Sequence, residues 1–409
     1  MRNHNYFVDV YKIQSVPANN LNRDETGDPK TLMFGGTQRI RVSSQAVKKA
    51  IRNDFNNNLD IDEIGIRTKN VPTLLINEIL DRNLDDMDYD KAEALMKDII
   101  KAAKIKITKV DNPDDIDKFR EEYRDRDVYV TGALFFISRK QISNLIDVAL
   151  APDMAEKDRV NLIRDAFRKD NAIDVSLFGR MVADDPSQNI DAAAQVAHEF
   201  SVTEGNIESD FFTAVDDYSL ADHAGSAMMG NISYDSAVLY GYADISLTQL
   251  EKNLGSKEAV VKAVEQFIKS FVNAMPTGKQ NTFAAQTLPD AVVVTVRDGR
   301  PVNYANAFVK VINPKTGDDV SSDAITRLAE YGEKLQSAMD LHPVASFVTY
   351  TENDAVAKLG EPSNLTDLVR KTGDVVRDLL GPDDVEDQET ADGADTVTVE
   401  ADEVSVEQA

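Results

Sequence analysis

Cysteine is absent from this chain. Its absence excludes a disulfide framework and a thiolate metal site. Histidine is nearly as scarce: four residues, scattered along 409, leave little material for zinc. One of them, His198, precedes Glu199, but no second histidine follows at the spacing of a zinc-protease helix. His198 therefore reads as a packed or surface side chain. No apolar run approaches the length that spans a bilayer. The first residues, Met1-Arg2-Asn3-His4-Asn5, lack the apolar stretch of a signal peptide, so a cytoplasmic protein is expected. Glycine-rich phosphate loops are missing too: Gly278-Lys279 lacks the preceding glycine and the spacing. There is no serine nucleophile elbow. Tryptophan is absent and tyrosine numbers twelve, so bound nucleic acid would dominate the absorbance of a purified sample.

Positive charge is in short supply as well. Asp and Glu total 71 against 45 Lys and Arg, a net charge of −26. Bulk attraction to nucleic acid needs basic surface, and this total argues against it. Part of the excess is local. The segment Pro382 to Ala409 holds eleven acidic residues and no basic one, and without it the charge is −15. Any nucleic-acid site must then be a focused groove, with an acidic exterior that discourages binding elsewhere. Apolar residues at 42% and charged ones at 28% suit a soluble globular protein. The length implies two or three domains or subdomains.

Against this background one stretch stands out: Asn19 to Arg52, NNLNRDETGDPKTLMFGGTQRIRVSSQAVKKAIR. Its seven Lys/Arg and three Asp/Glu give a local balance of +4. The pattern predicts a polar loop, a tight Gly35-Gly36 turn, a strand Gln38–Val42 and the start of a helix. Ile40 and Val42 are expected to face a core, with Arg39 and Arg41 on the opposite side. Ser43 and Ser44 stand where an N-cap belongs. Val47, Ala50, Ile51 and Phe55 form an apolar helical face; Gln45, Lys48, Lys49 and Arg52 fall on the other side. Strand arginines, capping hydroxyls with free backbone N–H groups and a basic helical face would thus meet at one junction. Such a junction suits a row of phosphates. It is also the pattern of an ordinary capped helix with a solvated basic face.

Elsewhere the chain alternates. Tyr6–Ile13 predicts a first strand. Leu59 to Asp174 reads as mostly helical, with helices at Asp114–Arg126, Ile142–Leu150 and Met154–Asp170 and a strand or buried segment at Val128–Ile137. Ile190–Phe200 (IDAAAQVAHEF) predicts a helix. Asp210–Val215 and Gly230–Tyr234 read as two arms of an excursion that turns through Asp216–Ser226. Ala237–Leu247 predicts a strand with Tyr240 and Tyr242 on one face, able to stack bases or to pack. Lys257–Met275 is a helix with Val260, Val264, Phe267, Ile268 and Phe271 inward. Strands at Ala291–Arg297 and Ala345–Tyr350 interleave with helices at Ala324–Met339 and Asn364–Leu380. The whole suggests an α+β fold around a mostly helical middle. The tail after Gly381 has the composition of a disordered segment.

Several blocks carry a resemblance. Leu21-Asn22-Arg23-Asp24, Phe34-Gly35-Gly36 and Arg39-Ile40-Arg41-Val42-Ser43-Ser44-Gln45 come first. Leu177-Phe178-Gly179-Arg180-Met181, Ala183-Asp184-Asp185-Pro186, Phe211-Phe212-Thr213-Ala214-Val215-Asp216-Asp217 and Gly278-Lys279-Gln280-Asn281-Thr282-Phe283-Ala284-Ala285 follow in order. They resemble the CasC (Cse4) family, the backbone subunit of the type I-E CRISPR surveillance complex, Cascade, over about Tyr6 to Leu380. The resemblance implies a ferredoxin-like (RNA-recognition-like) palm, a large helical insertion called the fingers and a protruding hairpin-like thumb. On that plan residues 1–58 and 237–380 form the palm and 59–180 the fingers. Residues 181–199 form a palm helix, 200–236 the thumb and 381–409 an acidic tail.

The same resemblance implies a non-catalytic subunit, without cofactor or metal. It would oligomerise along CRISPR RNA, grip the phosphate backbone and present the spacer to target DNA in antiviral defence. Its partners would be that RNA, the target strand, other copies of itself in a helical filament and other Cascade subunits, with no membrane. Ser43, Gln45, Lys48, Lys49 and Arg52 would line the guide groove, closed by Asn22 and Arg23, with Arg39, Arg41, Ser44 and Lys279 completing it. Met181 and Phe212, with Phe211 beside it, would push bases aside; Met and Phe are also the residue types that pack in cores. The alternative is a metal-dependent ribonuclease on the same scaffold. Adjacent acids at Asp184-Asp185 and Asp216-Asp217 are weak candidates for it. Asp24, Glu25 and Asp28, beside the basic junction, are stronger ones.

Overall fold

A long first strand organises the sheet. The structure, a computed structural model, describes residues 4–110, 125–182, 186–214 and 228–382. Strand β1 (Tyr6–Asn19) is buried along nearly all its length. Its run of aromatic and β-branched residues fits a pleated surface covered on both sides. After it come β2 (Thr31–Phe34), β3 (Thr37–Val42) and helix α1 (Ser44–Asn58). Strands β2 and β3 form a two-residue hairpin through Gly35 and Gly36, both at positive φ (60° and 76°). That is the twist a tight antiparallel connection requires.

The next elements make a separate body. They are β4 (Gly65–Thr68), α2 (Val71–Asp81), α3 (Tyr89–Ala102), β5 (Ile107–Val110), β6 (Val128–Thr131), β7 (Phe135–Ser138), α4 (Arg139–Leu150), α5 (Glu156–Ala166) and α6 (Ile173–Phe178). Helices α2 to α5 share one apolar core around Leu75, Met96, Ile99, Leu145 and Phe167, while α6 packs Ile173 and Leu177 into the core of the main sheet. This region is less purely helical than expected, because β4–β7 and β5–β6 form two small antiparallel sheets. The expected segment Val128–Ile137 is two strands, turning at Gly132–Leu134. The helix expected at Asp114–Arg126 lies almost entirely outside the described residues.

The chain then returns through β8 (Ala194–Val196) and β9 (Glu199–Ser201) and leaves along β10 (Glu208–Ala214). It comes back as β11 (Met228–Ser246), the 19-residue strand that pairs with β10 at one end and β1 at the other. There follow α7 (Leu247–Leu254), α8 (Lys257–Asn273), α9 (Gln280–Phe283), β12 (Ala291–Asp298), α10 (Val320–Ala338), β13 (Ala345–Tyr350), β14 (Glu361–Pro362) and α11 (Leu365–Leu380). The main sheet runs β14-β13-β12-β1-β11-β9-β3-β2, with β8 and β10 also paired to β11.

Both faces of the sheet are covered. On one, Val8, Val10, Ala243, Ile245 and Val294 meet α1, α7, α8 and α11, where Phe55, Phe267 and Phe271 are fully buried. On the other, Tyr11, Tyr240, Tyr242 and Val293 meet Tyr304, Phe308 and α10. Tyr240 and Tyr242 therefore pack rather than offering an open stacking surface. Charge is threaded through this core. Lys12 Nζ lies 2.8 Å from Glu199 Oε1, and Arg297 Nε lies 2.6 Å from Asp9 Oδ2. Tyr242 donates to the other oxygen of Asp9 at 2.9 Å.

Two expectations are corrected here. Ile190–Phe200 is not a helix: Ala194 and Val196 pair with Ile245 and Ala243, and Phe200 pairs with both Tyr240 and Arg41. Its alanines favour helix in isolation, but ladder pairing in a buried sheet wins. Arg39 does not point to solvent with Arg41. It is fully buried, and its guanidinium donates to the carbonyls of Ser201 (2.9 Å), Phe308 (3.0 Å) and Thr203 (3.4 Å). The second layer over the sheet turns the expected outer face of β3 into an inner one.

Candidate nucleic-acid interface

The interface begins where β3 becomes α1. Ser43 caps the helix, its Oγ accepting from Ala46 N at 3.3 Å. Ser43 N itself donates to Asn22 Oδ1 at 2.9 Å, and Ser44 N donates to His198 Nδ1 at 2.8 Å. The N–H groups of Ser43, Ser44 and Ala46 at this N-terminus are thus engaged within the protein. Asn22 is a clamp between the loop and the helix start.

Beyond the cap, the polar face of α1 forms one wall of a groove of about 370 Å³. Gln45, Lys48, Lys49 and Arg52 line it from the helix; Arg67, Leu134, Phe136, Phe178 and Met181 line it from the opposite side. The cations differ in freedom. Arg52 Nε pairs with the buried Asp174 carboxylate at 2.9 Å, Nη2 reaches Gly65 O, and the guanidinium lies 4.5 Å from the Phe136 ring centre. It chiefly ties α1 to β4, β7 and α6. Lys48 rests over Phe178, and burial pulls its pKa below the usual lysine range. Lys49 and Arg67 are exposed and have no ion pair among the described residues. Arg180, next to Met181, is buried and donates to the carbonyls of Phe136, Phe167 and Gln188. That anchor leaves Met181 outward, 78% exposed.

A second concavity of about 390 Å³ lies across the helix start, lined by Arg23, Asp24, Glu25, Lys30, Thr31 and Arg41. Its floor is the loop between β1 and β2, closed by a backbone bridge from Arg23 to Pro29. Asp24 Oδ1 accepts from Thr26 N (2.9 Å), Thr26 Oγ1 (2.7 Å) and Asp28 N (3.1 Å). These bonds hold its carboxyl below the ordinary aspartate range. Lys279 stands at the far edge: Gly278 is packed so closely on Leu21 that a Cβ there would sit 2.3 Å from the Leu21 carbonyl oxygen. Among the described residues no three His, Asp or Glu side chains gather in a metal-holding group. The acid pairs Asp184-Asp185 and Asp216-Asp217 lie outside them.

The β10–β11 hairpin supplies exposed apolar side chains. Phe211 is 62% exposed, and Met228 and Met229 are similarly open. Phe212 is different: it sits across the ladder from Gly230 and lies half-buried against it. Asn20 joins the hairpin to the loop, donating to Gly27 O (3.0 Å) and Ser233 O (2.7 Å).

The chain as a whole has counterparts among known proteins. The profile of the CT1975-like protein family matches residues 8–371. The chain belongs to the CT1975-like family. No curated protein matches it. Among solved structures, it is similar to a chain of a "CRISPR RNA-guided surveillance complex, pre-nicking". The two share 30% identity with a TM-score of 0.75, over 90% of this chain and all of that one. It is also similar to a chain of a "CRISPR RNA-guided surveillance complex", with 25% identity and a TM-score of 0.64, over 90% and 99% of the two chains. Family and neighbours agree on a Cas protein of the Cascade type.

Within this CT1975-like chain, the structure gathers Gln45, Lys48, Lys49, Arg52 and Met181 in one groove, and Asn22, Arg23 and Arg41 in and around the next. It removes Arg39 to the core. It adds Arg67, Leu134 and Phe136, which come from segments without motif or charge run, together with Lys30 from inside the basic stretch and Phe178 from inside the Leu177–Met181 block. It also places His198 against the start of α1, where Ser44 N donates to it. No helix in the described residues is long and apolar enough to cross a membrane.

Proposed function

We propose that the chain is a non-catalytic backbone subunit of a type I-E complex, of the CasC/Cse4 kind. In this reading it polymerises along CRISPR RNA, holds the guide by its phosphates and presents the spacer to target DNA in the cytoplasm. A ferredoxin-like palm, with β1, β11 and β12 at its centre and α1 and α8 on one face, belongs to the same proposal. The observation that carries it is the groove. Exposed cations without carboxylate partners converge at the α1 wall in a chain of net charge −26, and exposed Met181 stands at the edge. Grip on phosphates rather than bases is what a repeated subunit needs, because each copy meets different guide bases. Met181 and Phe211 are open to wedge between bases, while Phe212 supports the hairpin. Wedging costs a few kcal/mol of stacking per step, which phosphate contacts can offset.

Replacing Lys48 and Lys49 with Glu should weaken binding to single-stranded RNAs of unrelated sequence by a similar factor. The salt dependence should flatten by about one unit per lost contact. Filter binding across a salt series reads both quantities, and unchanged affinity would sink the proposal. The nuclease alternative predicts Mg²⁺- or Mn²⁺-dependent cleavage of bound RNA that Asp24→Ala abolishes. We expect none, because the Asp24 carboxylate already holds its own loop together.

A further inference from the structure

His198 occupies a position that neither motif nor charge pattern marks. It lies on the link from β8 to β9, exposed and bonded to Ser44, at a seam between residues that line the two concavities. Gln45, one residue past Ser44, lines the first; Arg41, three residues before Ser44, lines the second. The Ser44 N–H donates to Nδ1 at 2.8 Å, so Nδ1 carries no proton. The ring proton therefore sits on Nε2. Burial, then Arg41 and then Lys30, push the histidine pKa below its ordinary value, so the ring is neutral. The adjacent Glu199 carboxylate is engaged with Lys12 and does not compensate those cations. Arg41 Nε is itself buried with no hydrogen-bond partner. The seam thus holds one unsatisfied guanidinium donor and one histidine N–H, with Lys30 nearby.

We propose that His198 is a neutral phosphate donor at this interface, offering Nε2–H to a phosphodiester oxygen of single-stranded RNA that Arg41 and Lys30 draw in. The inference rests on the guide-binding reading and adds a residue and a chemistry to it. Protonation of the ring would set Nδ1–H against Ser44 N–H, so the bond that secures α1 also favours the neutral tautomer. A neutral donor supplies direction where the lysines supply charge, and it displaces no counterion.

The test uses the full chain and two single-stranded RNAs of unrelated sequence, over a salt series. His198→Asn keeps an acceptor near the Nδ1 position for Ser44 but removes the distal N–H. It should bind both RNAs about three- to ten-fold more weakly, the worth of one neutral hydrogen bond, with an unchanged salt slope and melting temperature. Arg41→Ala should weaken binding and lower the slope by about one. If His198→Asn binds as tightly as the parent while Lys48→Glu/Lys49→Glu does not, the ring only caps the helix and this proposal fails alone. A loss accompanied by a reduced slope would mean that the ring acts as a cation, which also overturns it. If the double Glu variant binds normally, the guide-binding reading fails and takes this inference with it.

Discussion

Asp244 stands directly opposite Asp9 on neighbouring central strands. Both carboxyls are buried, and Asp244 Oδ1 has no hydrogen-bond partner. Desolvation, with the nearby Asp9 charge, pushes Asp244 up to about 7. The folded protein therefore keeps a proton that the unfolded chain, near its ordinary value of 3.8, has lost. Stability must fall as pH rises from about 4 to 7 and level off above. Asp235, raised to about 6 chiefly by burial, acts in the same direction. Asp244→Asn should then be more stable than the parent at pH 8 by roughly 2 kcal/mol, with little difference at pH 4. Denaturant melts at the two pH values measure this, and an identical pH slope in the variant would contradict it. Residues like these are silent in sequence, because Asp9 and Asp244 become neighbours only through strand register. Arg39 teaches the same lesson: its alternation with Ile40 was legible, but the layer that buries it comes from Phe308.

Elements show where local pattern suffices. Helix α8 was readable to within a turn, because Val260, Val264, Phe267, Ile268 and Phe271 repeat at helical spacing and all are buried. The start of α1 was readable from Ser43 and its apolar face. The run Ile190–Phe200 misled because its alanines report propensity, whereas its partners in β11 lie some fifty residues away. The groove was half visible: α1 carries its cations in one stretch, but Arg67, Phe136 and Phe178 arrive from three separate elements, β4, β7 and α6. What joins β4 and α6 to α1 is the Arg52–Asp174 pair, with Asp174 also accepting from Gly65 N at 2.8 Å. Asp174→Ala strands a largely buried guanidinium and an amide, and should cost about 3–5 kcal/mol. Loss of hydrogen-exchange protection in β4 and α6 would accompany it; a variant with parental stability would refute the clamp. In the hairpin, Phe212→Ala should loosen the ladder by about 1 kcal/mol while Met181→Ala and Phe211→Ala change stability little, since only Phe212 is packed. Equal effects of Phe211 and Phe212, by proteolysis of the hairpin, would count against that division.

Over the whole molecule the governing fact is opposed charge. A local excess of cations lies on a body whose net charge stays at −15 even without Pro382–Ala409. That terminal segment contributes eleven of the negative charges. At low salt its field extends over about a Debye length, some 10 Å at 0.1 M, and opposes an approaching polyanion. Truncation after Pro382 should raise the association rate with single-stranded RNA several-fold at low salt and hardly at all near 1 M. Stopped-flow association at two ionic strengths decides it; equal rates at low salt would mean that the segment's charge is not felt at the groove.

The unbroken length of β11 has a mechanical consequence. Nineteen residues at strand rise span about 60 Å, and the inner half is riveted between β1 and the β8–β9 edge. The hairpin is therefore a cantilever rooted in the core, not a tethered flap. Its register with β1 breaks once, between Val16 and Asn19, at the level of Asp235. Asn19 stitches that break, its Nδ2 donating to Asp235 O (3.2 Å) and Oδ1 (2.8 Å), both residues buried. If copies assemble in the row proposed above, the angle at which β11 leaves the core at Asn19–Asp235 would fix where each hairpin reaches its neighbour.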